Sequence, residues 1–277
     1  MKNVAWKALA GFALTAAVMA TSAQAAVVDQ WQLALPSVGG SSTQTLTGLG
    51  ALGFNGESYV QNTISGTSVS FKENGVFNIG QEGNGTSILD FGQLTGNYTN
   101  GTGSGTLGGT ISFNAGGKLD IYYNPTKAYG KSGVATVGNR YGATEGILIA
   151  TFTQLAGGGG SINPNGTPSA NGQLTLLFQA TYLMDGVWLD QSGVGLKEGA
   201  TMGFVTSNAS QDVTTIDPVL RETLGGSPGA PNTPPEQFFV QNGGQMKLEA
   251  NAVPEPASLA IMGVGLLGLA ALRRRKS

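Results

Sequence analysis

The 277-residue chain contains no cysteine and no histidine. Without cysteine there is no disulfide, no thiolate metal ligand and no cysteine nucleophile. Without histidine the side chain most used for proton transfer near neutrality, and the commonest metal ligand, is missing as well. Charge is scarce, at 11% of residues. Carboxylate chemistry, Ser/Lys chemistry and oxygen-ligated calcium survive these exclusions, since none needs either missing residue. The formal net charge of -2 conceals basic ends: Lys2 and Lys7 at one, Arg273, Arg274, Arg275 and Lys276 at the other, which leaves the body between them acidic. An acidic body has no phosphate-neutralising patch, so nucleic acid is not an expected partner. What is abundant is glycine, 45 residues, with Ser, Thr, Asn and Gln around short apolar segments. At 40% hydrophobic residues the chain can build a core, unlike a disordered one.

Long apolar runs occur only at the ends. Residues 1–25 begin with Lys2 and Lys7, continue through the apolar stretch Ala8 to Ala20 and close on Ala23-Gln24-Ala25. That three-part layout is a secretory signal peptide with an A-x-A site, so signal peptidase is expected to cut after Ala25, using Ala23 and Ala25 as its small-residue exit. At the other end Ala257 to Leu272 is apolar and just short of the roughly 17–25 residues that span a hydrocarbon core. The basic stop Arg273, Arg274, Arg275 and Lys276 follows it and favours the cytoplasmic side. Pro254 and Pro256 make the preceding segment stiff and extended, a form that enters a protease cleft.

Val253-Pro254-Glu255-Pro256, a short Gly/Ala/Leu-rich helix and a terminal Arg cluster together resemble the PEP-CTERM sorting signal of exopolysaccharide-producing Gram-negative bacteria. The resemblance implies recognition of Pro254, Glu255 and Pro256 by a membrane-embedded exosortase. It further implies transient anchoring in the inner membrane, followed by release or transfer of the body to the cell surface or extracellular matrix. The expected organisation is a signal peptide over 1–25, an exported β-rich domain over 26–252 and the sorting signal over 253–277.

The body reads as strands. Gln173 to Leu183 alternates, with Leu174, Leu176, Phe178, Ala180 and Tyr182 on one face and Gln173, Thr175, Gln179 and Thr181 on the other. Shorter alternation occurs in Ser68 to Lys72, Thr110 to Phe113, Lys118 to Tyr123 and Gly146 to Leu155. Asn-Gly and Asp-Gly pairs at 55–56, 74–75, 84–85, 100–101, 165–166, 171–172, 185–186 and 242–243 favour tight hairpins. Gln237 to Ala250 is expected to be a final hairpin around Asn242-Gly243. Gly96 to Gly109, Gly157 to Asn171 and Leu224 to Glu236 are expected to be loops. No amphipathic helix is expected between Ala26 and Asn251. The fold is expected to be all-β, an antiparallel β-sandwich-like single domain with terminal helices; short, uneven strands argue against an outer-membrane barrel.

Chemical motifs are weak. Gly103 to Gly108 matches G-x-G-x-x-G, but the strand-like segment after it is not the helix that a dinucleotide site requires. Asp90-Phe91-Gly92 lacks every other kinase element. Asp120, Asn124, Asp185 and Asp190 would bind calcium if their loops converged, and as isolated residues they are ordinary turn carboxylates and amides. Tyr122, Tyr123, Tyr182 and Trp188 would stack on sugar, or fill the core. Sequons at Asn84, Asn97, Asn100, Asn165 and Asn208 report polar loops. No catalytic residue, metal ligand or cofactor is assigned. The expected function is a non-enzymatic surface or matrix protein acting with exopolysaccharide in cell aggregation or floc formation, and LDIYYNP with the long polar loops resembles flocculation-associated PEP-CTERM proteins. The alternative is a secreted carbohydrate-active enzyme or a lectin-like sugar-binding protein.

Overall fold

Alternation of apolar and polar residues is carried through most of the chain as antiparallel strands. A computed structural model describes residues 30–37, 43–81, 87–169, 172–211, 216–226 and 233–249. The strands in chain order are β1 (Trp31–Leu35), β2 (Gln44–Leu49), β3 (Leu52–Ser65), β4 (Ser68–Gln81), β5 (Gln93–Thr106), β6 (Thr110–Phe113) and β7 (Lys118–Asn124). They continue as β8 (Ile147–Gln154), β9 (Gly159–Ser161), β10 (Gly172–Leu183), β11 (Trp188–Asp190), β12 (Thr201–Gln211) and β13 (Gln237–Glu249). Among the described residues there is one α-helix, α1 (Pro218–Thr223), a single capped turn whose Asp217 side chain accepts from the backbone N–H groups of Val219 and Leu220. Among the described residues no helix is long and apolar enough to cross a membrane.

The all-β antiparallel expectation holds, and the pairing adds closure. In the ten-stranded sheet the long strands follow one another as β12, β13, β3, β4, β5, β7, β8 and β10, and β10 pairs back onto β12. These eight strands therefore form one ring of hydrogen bonds, a barrel with no free edge among them. At one end β6 and β9 bridge β5 to β10 as a second, shorter closure. The separate sheet β11-β1-β2 carries Trp31, Leu33 and Trp188, all buried, onto the apolar layer at the opposite end.

Inward positions build the core in layers. Phe54, Ile79, Leu94, Ile121, Met202 and Leu248 form one end. Val60, Phe71, Phe113, Leu174, Phe238 and Val240 form the other. Each fully buried Leu, Ile or Phe contributes about 1.5–3 kcal/mol relative to exposure. Between these layers lie Ser58, Glu73 and Asn242, with Tyr98 donating to Gln154 Oε1 nearby. A third cluster lies outside the barrel, where α1 and the β7–β8 connection cover Tyr59, Val76 and Phe239. Arg140 ties these covers together, its Nε donating to Asn97 Oδ1 at 2.9 Å and its Nη1 to the Thr223 carbonyl. It and Tyr141 adopt φ of 52° and 61°, a left-handed backbone that costs roughly 1–2 kcal/mol per residue.

Several expectations are corrected. Gln237 to Ala250 is no hairpin: β13 runs unbroken through Asn242-Gly243, pairing with β12 on one side and β3 on the other. Gly96 to Gly109 is mostly strand β5, and the pairs at 55–56, 74–75 and 100–101 also lie inside strands. The reason is close approach: a Cβ on Gly103 would overlap the Phe71 ring and the Ser112 carbonyl, and one on Gly101 the Tyr98 ring. These glycines admit aromatic rings, Phe71 of β4 at Gly103 and Tyr98 of β5 itself at Gly101, rather than turn the chain. Tyr182 is 39% exposed, because a register shift between Ala180 and Tyr182 moves it off the buried face.

Candidate functional site

Outward residues of β3, β4, β5 and the start of β13 line the largest described concavity, about 730 Å³. Register aligns them: Gln237 stands opposite Gln61, Gln61 opposite Lys72, and Lys72 opposite Thr102. At roughly 4.8 Å between strands, this row of side chains crosses about 14 Å of surface. A second row places Thr63 opposite Ser70. Asn114, just after β6, donates from Nδ2 to Thr102 Oγ1 at 3.3 Å and closes one side. On the other side Asn62 holds the wall, its Nδ2 donating to the Pro235 carbonyl at 2.6 Å and its backbone N–H to the Glu236 carbonyl at 2.7 Å. Tyr59 donates to Gln237 Oε1 at 2.7 Å and fixes that amide from below.

The lining is amide and hydroxyl with one lysine and one carboxylate, completed by Phe71 and Gly103. Among the described residues neither Lys72 nor Glu236 forms an ion pair; the described pair is Lys118 with Asp120 at 2.9 Å. Such a surface offers many modest donors and acceptors. Hydrolysis of a glycoside by paired acids needs two facing carboxylates, and the groove lining supplies Glu236 alone.

Other candidates are dispersed. Asp120 accepts from Thr151 and Lys118, Asn124 Oδ1 accepts from Thr126, and Asp190 Oδ1 accepts from the backbone of Ser192 and Val194. Among the described residues no three Asp or Glu side chains gather at a metal-binding distance. Tyr123 and Trp188 are buried, Trp188 stacked on Trp31 with its Nε1 donating to the Ile149 carbonyl at 2.8 Å. They are core residues. Asn97 is buried and engaged by Arg140, so that sequon is closed. Gly103 to Gly108 turns β5 into β6, with no helix following. Outside the barrel, desolvation raises the carboxyl of Glu57 above its ordinary range, opposed by the Tyr129 hydroxyl bonded to it at 3.4 Å.

The groove was not assembled from the sequence, since each of its residues reads there only as an outward polar position. Ala23, Ala25, Pro254, Glu255, Pro256, Arg273, Arg274, Arg275 and Lys276 lie outside the described residues. No curated protein and no solved structure matches the chain. Residues 252–276 match the PEP-CTERM protein-sorting motif. That motif implies export, transient membrane anchoring and hand-over to an exosortase, so the chain carries the sorting signal of an exported, exosortase-processed protein.

Proposed function

We propose that the exported domain is a non-enzymatic matrix protein that holds exopolysaccharide in the groove on β13, β3, β4 and β5, and so contributes to cell aggregation or floc formation. The observation that carries this reading is the aligned row Gln237, Gln61, Lys72 and Thr102, one side-chain donor on each of four neighbouring strands. A polymer with repeating hydroxyls can bond along such a row, and each net bond contributes only about 0.5–1.5 kcal/mol. Useful retention then comes from many copies on one polymer rather than from one tight site. In this reading signal peptidase removes 1–25 and the exosortase acts near Pro254-Glu255-Pro256, placing the mature domain at the surface or in the matrix. The test is intact mass and location: the mature protein is expected to lack both end segments and to partition with the matrix polysaccharide. A chain that keeps 257–272 and stays with the membrane contradicts the placement. Matrix release without loss of aggregation contradicts the role.

A further inference from the structure

Glu73, Ser58 and Asn242 form a polar layer between the two apolar ends of the barrel. Ser58 bonds the Glu73 carboxyl and accepts from Asn242 Nδ2 at 2.9 Å. Asn242 is 4% exposed, and its Oδ1 is buried with no partner among the described residues. Two cavities, about 20 Å³ and about 30 Å³, share Glu73, Asn242, Phe113 and Leu174 in their walls. A water molecule needs about 10–15 Å³ of such space and two to four polar partners. Here the partners are an orphan amide oxygen and a carboxyl group in a mostly aromatic and aliphatic wall, since Asn62 at the second cavity and Tyr98 at the first are already bonded to the Pro235 carbonyl and to Gln154.

We propose that this layer is an internal hydration site, one water in each cavity linking the Glu73 carboxyl to Asn242 Oδ1, and that Glu73 is the proton switch of the barrel. Each water donates to Asn242 Oδ1, and a neutral Glu73 both donates and accepts. Ionisation leaves a lone negative charge facing phenylalanine and leucine. From β3, β5, β6, β7, β10, β12 and β13, the side chains lining the two cavities include one other titratable group, Tyr98, which is not a cation. Lys72, next to Glu73 on β4, is exposed in the groove. Desolvation pushes the Glu73 carboxyl up to about 7, against the lowering effect of the Ser58 hydroxyl, so the switch falls near neutrality.

The test uses the mature protein. Its crystal structure at about pH 5 should show an ordered water within hydrogen-bond reach of Asn242 Oδ1 in each cavity. The Glu73 carboxyl carbon signal should titrate near 7. The melting midpoint should fall between about pH 5 and about pH 8.5, and that fall should be lost in Glu73→Gln. Dry cavities, a bound cation in place of water, or a Glu73 titration at the ordinary 4.5 would each overturn the proposal. The carboxyl titration is read on the unaltered protein, so it decides even if Glu73→Gln fails to fold. Polysaccharide binding in the groove stands or falls separately.

Discussion

Lys72 and Glu73 are neighbours on β4 and point to opposite sides of one sheet. Lys72 joins Gln61 and Thr102 on the outer surface, whereas Glu73 joins Ser58 and Asn242 inside the barrel. The two places use the same residue types: amides, hydroxyls and one carboxylate. Water makes the difference. Outside, these groups are already hydrated, so changing one costs little stability and leaves the surface open to a partner. Inside, each is committed to the others, and an unmatched atom carries its full desolvation penalty.

The largest effect that sharpens this contrast is in the apolar wall of the layer. Phe178→Ala, which removes ring contacts to Tyr98 and Phe204, should cost about 3–5 kcal/mol in urea unfolding. The next is the pH dependence of Glu73. Its native carboxyl holds its proton up to about 7 against 4.5 when unfolded, so the native state binds more protons between those values. Stability from this group is fully present below 4.5 and is lost as pH rises through about 7, a change of about 3 kcal/mol at about 1.4 kcal/mol per pKa unit. Denaturant titrations across that window check it. Ser58→Ala removes the hydroxyl that lowers Glu73 and strands Asn242 Nδ2; it should cost about 1–3 kcal/mol and move the pH midpoint upward. At the small end, Thr63→Ala and Ser70→Ala in the groove should change stability by no more than about 0.5 kcal/mol. A large loss there would break the comparison.

The sorting motif was legible because its chemistry is sequential: a stiff proline pair, an apolar run and a basic stop are read in order along the chain. The strands over 110–113, 118–124, 147–154 and 172–183 were legible from alternation. Closure was not, because it depends on β10 meeting β12, a pairing that no local pattern encodes. Asn-Gly misled for a related reason: locally it favours a turn, but at 242–243 two flanking strands hold it extended. Glu73 did leave a signal. Val69, Phe71 and Glu73 share one face of an alternating run, and an acid on an apolar face is a carboxylate turned toward the core, here half-buried. The groove left none, since its rows exist only once the register of four strands is fixed.

The proposed role is tested most directly by binding of the purified mature protein to matrix polysaccharide from the producing cells, set against the variant Lys72→Ala/Thr102→Ala/Glu236→Ala. The variant should fold with an unchanged melting midpoint and bind about tenfold more weakly or worse, the effect of losing one to two net hydrogen bonds. Equal binding by the two proteins would contradict a groove that holds polysaccharide.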